Sequence, residues 1–178
     1  MKRLFATALV ALALATSTAH ATGIEAGVFG GLSIPIVQDD QKQGTTFGLR
    51  VPVKLIPLLT VEPFFASSAM GEAEEEIGGF TYTREGFDVT SFGANVLLTM
   101  GGPVSFYPFA GVGQTSLKRA GFDDSFTTFN GGLGIGISPA PKFSIHVRGE
   151  LQAVVDGETS RKFGNATVGL HYALFSAP

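Results

Sequence analysis

The chain has 178 residues, 44% of them apolar, with 24 glycines, 12 basic and 15 acidic side chains and no cysteine. A formal charge of −3 with no basic block lacks the electrostatic footprint of a nucleic-acid binder. Without cysteine there is neither a disulfide scaffold nor a site for lipid acylation, so any stable fold must rest on hydrogen bonding and packing.

Lys2 and Arg3 precede an apolar run over residues 4–15, and small residues follow in Ala19-His20-Ala21. This is the layout of a secretory signal peptide cut after Ala21, with residues 1–21 as the signal and 22–178 as one mature domain. The run is too short for a spanning helix, which needs roughly 20 apolar residues. Removing 21 residues leaves 157, with 10 basic against 15 acidic side chains and a charge near −5.

After the signal the hydrophobic period is two, the period of a strand, because successive side chains leave a pleated backbone on opposite faces. The first predicted strand, residues 23–34, sets Ile24, Ala26, Val28, Leu32 and Ile34 against Glu25, Gly27, Phe29, Gly31 and Ser33. The second, 46–55, sets Phe47, Leu49, Val51, Val53 and Leu55 against Gly48, Arg50, Pro52 and Lys54. The third, 59–70, is weaker, with Leu59, Val61, Pro63 and Phe65 opposing Thr60, Glu62, Phe64 and Ser68. In the fourth, 89–100, Phe92, Ala94, Val96 and Leu98 oppose Ser91, Gly93 and Asn95. In the fifth, 104–115, Phe106, Ala110 and Val112 oppose Tyr107, Phe109, Gly111 and Gly113. The sixth, 128–138, alternates Phe129, Leu133, Ile135 and Ile137 with Asn130, Gly132, Gly134 and Gly136. The seventh, 143–153, is the clearest: Phe143, Ile145, Val147, Gly149, Leu151 and Ala153 face away from Ser144, His146, Arg148, Glu150 and Gln152. The eighth, 165–174, sets Ala166, Val168, Leu170, Tyr172 and Leu174 against Asn165, Thr167, Gly169 and His171.

Connections alternate in length. Ile56-Pro57-Leu58, Gly101-Gly102-Pro103 and Pro139-Ala140-Pro141-Lys142 are short, whereas 35–45, 71–88, 116–127 and 154–164 read as long loops. Short turns on one rim and long loops on the other characterise outer-membrane barrels, with the turns in the periplasm. Phe47 and Phe129 then fall near one membrane edge and Phe106, Phe143 and Tyr172 near the other, as aromatic girdles require.

A soluble, lipocalin-like carrier would turn the apolar face inward, whereas a membrane barrel turns it outward. The glycines on the polar face favour the second arrangement, because a crowded bore accepts glycine and a solvated strand face gains nothing from it. Glu25, Glu62 and Glu150 on that face balance Arg50, Lys54 and Arg148, a set that can pair. The expected fold is all-β: a closed, eight-stranded, antiparallel up-and-down transmembrane β-barrel. Glu25, Arg50, Lys54, Glu62, His146, Arg148, Glu150 and His171 are expected to form a structural polar network in its bore.

Pro108-Phe109-Ala110-Gly111-Val112-Gly113, the glycine-alternating residues 131–138 and the aromatic-rich last strand resemble the small outer-membrane β-barrel family that includes the OmpA membrane domain, OmpX and the opacity proteins. Members of that family commonly end on an aromatic residue, whereas here Ser176-Ala177-Pro178 follow Phe175. The resemblance implies an outer-membrane location and a non-enzymatic role in envelope integrity, adhesion or surface recognition.

Other chemistry reads weakly. Gly132-Leu133-Gly134-Ile135-Gly136 lies in a strand and lacks the helix a dinucleotide fingerprint needs. Ser144, His146 and Glu150 carry the residue types of a lipid A deacylase, but they sit at the periplasmic end and face the bore, away from outer-leaflet lipid. Acidic loop residues such as Glu72, Glu74, Glu75 and Glu76 have no defined ligand spacing and read as a solvated rim. No catalytic residue, cofactor or metal is therefore expected. The expected partners are outer-membrane lipid and lipopolysaccharide, with a surface partner through the long loops, no nucleic acid and a monomeric state.

Overall fold

The computed structural model describes residues 22–36, 42–77, 80–84, 86, 88–119, 122–156 and 159–176. The expected signal peptide, residues 1–21, lies outside them. The described residues form twelve strands: β1 (Gly23–Ile36), β2 (Gly44–Arg50), β3 (Val53–Ile56), β4 (Leu59–Ala69), β5 (Ala73–Ile77), β6 (Phe80–Arg84), β7 (Asp88–Leu98), β8 (Met100–Gly101), β9 (Val104–Arg119), β10 (Phe122–Ala140), β11 (Phe143–Asp156) and β12 (Thr159–Ser176). Strands β2 and β3 form one stave, interrupted at Val51-Pro52, and β7 runs on into β8 past Thr99. Eight antiparallel staves result.

The ring closes on itself. Each stave pairs with its neighbour in sequence, and β1 pairs with β12 over a register running from Gly23↔Ser176 to Ile36↔Lys162. Closure satisfies backbone donors and acceptors without leaving an edge, as a spanning sheet in hydrocarbon requires. One rim carries the two-residue turns Pro57-Leu58, Gly102-Pro103 and Pro141-Lys142. Gly101, which leads into the second turn, sits at φ +108°, a conformation that disfavours a side chain.

The opposite rim differs from the sequence expectation. Three of the four connections expected as long loops are largely strand. Strands β9 and β10 stay paired from Val104↔Ile137 to Arg119↔Phe122, and β11 and β12 from Phe143↔Tyr172 to Asp156↔Thr159. The connection after β4 holds a separate hairpin, β5–β6, paired from Ala73↔Arg84 to Ile77↔Phe80. Charge made these segments look like loops. In the β9–β10 and β11–β12 segments the backbone instead continues the barrel ladder, whereas β5–β6 pairs only with itself.

Side-chain exposure fixes which face looks outward. Val28, Leu49, Leu133, Ile135, Val147, Leu151, Val168 and Leu170 are exposed, while Arg50, Glu62, Asn95, Arg148 and Thr167 are buried. The sheet is inside-out relative to a soluble barrel, with an uncharged exterior band and a polar middle to the bore. Phe47 and Phe129 are exposed toward the hairpin rim, and Phe106, Phe143 and Tyr172 toward the turn rim. Phe143 and Tyr172 meet edge to face, with centroids 5.0 Å apart.

Val147 lies mid-span on the outer face of β11 and is 51% exposed. A Val147→Arg substitution there is expected to destabilise the folded barrel by roughly 2–4 kcal/mol in lipid vesicles. Urea unfolding read by heat-modifiable gel mobility measures it.

Candidate functional site

The bore is stacked in layers from the turn rim to the hairpin rim. At its centre Glu62, wholly buried on β4, faces Arg148 of β11 from across the ring. Arg148 Nη1 donates to Oε1 and Nη2 to Oε2, both at 2.5 Å, a two-pronged charge-assisted pair. Asn95 Nδ2 donates to Glu62 Oε1 at 3.1 Å, and Asn130 Nδ2 donates to Asn95 Oδ1 at 2.7 Å. Arg148 also donates through Nε to the Tyr107 hydroxyl at 3.0 Å. Its guanidinium carbon lies 4.9 Å from the Tyr107 ring centre and 5.1 Å from that of Phe109. Buried charge is tolerated because each prong has a partner and the rings replace lost solvation.

Glycine makes the room. A Cβ on Gly134 would overlap the Tyr107 ring, so the phenol lies flat on the wall of β10. Gly48 stands in the same relation to Phe29, whose ring centre is 3.7 Å from the Arg50 guanidinium carbon. At these positions glycine on the polar face admits a bore ring.

The six expected lumen charges do not pair one to one. Glu62 takes both arginines, with Arg50 Nε at 3.9 Å. Arg50 also donates through Nη2 to Thr167 Oγ1 at 3.3 Å. Glu150 accepts from Asn165 Nδ2 at 3.2 Å. Glu25 lies nearest His171, with Oε2 3.6 Å from Nδ1. Lys54 lines the open mouth at the turn rim. The sequence shows which residues share the bore face; the partner choice follows from height along it.

Above the ion pair, Ser91, Thr115, Thr128 and Gln152 form a hydroxyl and amide layer: Thr128 donates to Thr115 at 2.6 Å, and Gln152 Nε2 reaches Ser91 at 2.9 Å and Thr115 at 3.0 Å. The open space beside Arg50 and Gln152 is only about 20 Å³. Higher still, Met70, Val89, Leu117, Val154 and Phe163 pack into an apolar cluster, with Phe126 against it. These residues continue the inward parity of their strands, so the bore ends in a hydrophobic plug. Leu117, Val154 and Phe163 lie in segments that read as loops in the sequence, so this plug is not legible there.

The turn-rim end is open. A vestibule of about 220 Å³ is lined by Glu25, Lys54, Ser105, Tyr107, Ser144 and His146, among others. Here Ser144 Oγ lies 2.9 Å from His146 Nε2, and the Tyr107 hydroxyl lies 2.8 Å from Nδ1. A serine nucleophile needs an unprotonated nitrogen facing it. Because Arg148 donates to Tyr107, the Tyr107 proton goes to Nδ1, its one acceptor among the described residues. A neutral His146 then carries its proton on Nε2 and donates to Ser144. That arrangement turns the wrong end of the imidazole to the serine.

Removing one partner of the central pair leaves a buried charge. Arg148→Met is expected to cost about 3–5 kcal/mol, and adding Glu62→Gln should recover much of the loss. Equilibrium unfolding of the two variants in detergent micelles checks both.

The model of the outer membrane protein beta-barrel domain family matches residues 4–173. No curated protein matches the chain. Among solved structures, Neisserial surface protein A (NspA) shares 13% identity at a TM-score of 0.67, covering 85% of this chain and 97% of that one. Ail, the attachment invasion locus protein of Yersinia pestis, shares 20% identity at 0.53, covering 85% and 99%. OprG from Pseudomonas aeruginosa shares 15% at 0.52, covering 89% and 98%. At these identities the structural likeness bears on the fold. With the family model spanning nearly the whole chain, the protein belongs to the outer membrane protein beta-barrel domain family and resides in the outer membrane.

Proposed function

We propose that this barrel is a non-enzymatic anchor that holds extracellular hairpins at the cell surface for recognition and envelope support. The observation that carries the reading is the filled bore. The Glu62–Arg148 pair spans it, the hydroxyl and amide layer fills the next level, and an apolar cluster plugs the hairpin end. A solute path of the kind found in large, water-filled barrels has no room here. What the fold does present is backbone: β9–β10 and β11–β12 extend as continuous paired ribbons beyond the aromatic girdle.

Three further features fit. The Ser144–His146 pair lies at the turn rim inside the bore, with the imidazole directed against base catalysis, so a lipid A-modifying role is not favoured. The exterior band is uncharged and suited to acyl chains, with lipopolysaccharide and other outer-membrane lipid as its neighbours. Within the closed ring the sheet leaves no free edge for pairing with a second copy, which suits a monomer.

In planar bilayers the purified barrel is expected to give no conductance on the scale of a water-filled porin, and lipid A from cells carrying Ser144→Ala should match wild type by mass spectrometry. Cutting β9–β10 and β11–β12 back to tight turns at the membrane edge should leave a heat-modifiable barrel in the membrane but abolish surface attachment of expressing cells. Porin-scale channels, altered lipid A or attachment untouched by trimming would each contradict the reading.

A further inference from the structure

The turn-rim end of the bore gathers three metal-ligating side chains from three adjacent staves, two of them, Glu25 and His146, lining the vestibule. Glu25 comes from β1, His171 from β12 and His146 from β11, and one ligand atom of each lies within 4.8 Å of the other two. Topology brings them together: Ser144 pairs with His171 and His146 with Gly169 across β11–β12, and Gly27 of β1 pairs with His171. The two imidazoles stack, with centroids 4.1 Å apart and planes 19° apart. Gly27 leaves space for this, since a Cβ there would overlap the His171 ring.

A second observation points to a ligand. The His171 side chain is fully buried, yet neither ring nitrogen has a hydrogen-bond partner. A buried polar group without a partner costs roughly 1–3 kcal/mol, and native structures leave few of them. Nδ1 is aimed at Glu25 Oε2 across 3.6 Å, too long for a hydrogen bond. A tetrahedral zinc, with ligands near 2.0–2.1 Å, holds its ligand atoms roughly 3.4 Å apart. The Glu25–His171 gap already has that span.

We propose that Glu25, His146 and His171 form a binding site for a divalent transition-metal ion of the zinc class, loaded from the periplasm through the vestibule. Two imidazoles and one carboxylate select borderline metals such as Zn²⁺, Ni²⁺ or Cu²⁺ over Ca²⁺ and Mg²⁺, which prefer oxygen alone. His146 binds through Nε2, the nitrogen turned to Ser144, once its ring rotates out of the stack, since the lone pairs of two nearly parallel rings do not converge on one ion. Loading reverses the Tyr107–His146 hydrogen bond: Nδ1–H donates to the Tyr107 oxygen, the outer hydrogen bond that orients most ligating histidines, and the phenol proton turns to the vestibule that Tyr107 lines. Tyr107 is itself held by Arg148, so the site is braced by the same network that fills the bore. The Ser144 hydroxyl gives up Nε2, and vestibule water completes the coordination. The aqueous route is one-sided, since the far end of the bore is plugged by apolar side chains.

The mature chain offers a clean test, because the third histidine, His20, falls in the expected signal peptide. Residues 22–178 are prepared without a histidine tag, refolded in detergent micelles, stripped with chelator and titrated with Zn²⁺ against a chromophoric competitor. One equivalent is expected to bind in the micromolar range or tighter, and Co²⁺ should give the visible absorption of a tetrahedral site. His146→Ala, His171→Ala and Glu25→Gln should each weaken Zn²⁺ binding about tenfold or more, with folding verified by heat-modifiable mobility. If His171→Ala does not fold, the ring-nitrogen resonances of the wild-type histidines decide, since Zn²⁺ must move both. No binding by the wild-type barrel, histidine signals unmoved by Zn²⁺, or full affinity retained in the His146→Ala/His171→Ala double variant would overturn the proposal. The last result would assign the metal to the acidic surface hairpins instead.

Discussion

Hydrocarbon offers nothing to hydrogen-bond with, and each unpaired backbone amide or carbonyl left in it costs several kcal/mol. A sheet that crosses a membrane must therefore close, and the pairing of β1 with β12 is the bond set on which the rest depends. Once the ring is closed, the period of two has a single consequence. One side chain in two meets lipid and must be uncharged, and the next is forced into a bore that eight staves make just wide enough to fill. The polar interior is then a packing problem as much as an electrostatic one, and glycine becomes a spacing device on the bore wall.

The bore solves that problem by layers. The Glu62–Arg148 pair links staves on opposite sides of the ring; Asn95 and Tyr107 add a hydrogen bond to each partner, and Asn130 in turn donates to Asn95. Desolvating two charges is costly, and the attraction between them offsets it only when geometry and auxiliary hydrogen bonds are good. Here both conditions hold. Arg50 adds a second positive group near Glu62, and its stacking on Phe29 and contact with Thr167 keep it from depending on the carboxylate alone.

Much of this was legible in the chain. Eight alternating segments, their inward parity and the lipid-facing sets follow from the period of two, since any slip of one residue would put Arg148 in lipid and Val147 in the bore. Strand ends were less legible. Leu117, Val154 and Phe163 are apolar residues at inward positions, which breaks the rule that inward means polar, and the charged residues beside them masked the continuing ladder. Which ion meets which also escaped, because partner choice depends on stagger between strands that are far apart in sequence. Glu25 lies more than a hundred residues from His146 and His171, so no spacing motif could announce their meeting.

The two ends of the bore are unlike in a way that follows from their surroundings. At the hairpin rim the staves outrun the membrane, and their inward side chains need a dry core to hold the ribbons together beyond the bilayer; the apolar cluster supplies it. At the turn rim the staves stop at two-residue turns, so no extra length exists to roof the bore, and polar side chains there stay within reach of water. A barrel built this way is sealed at the hairpin rim and open at the turn rim. Ionisable groups with chemistry to offer are therefore useful only at the turn rim, which is where Ser144, His146, His171 and Glu25 lie.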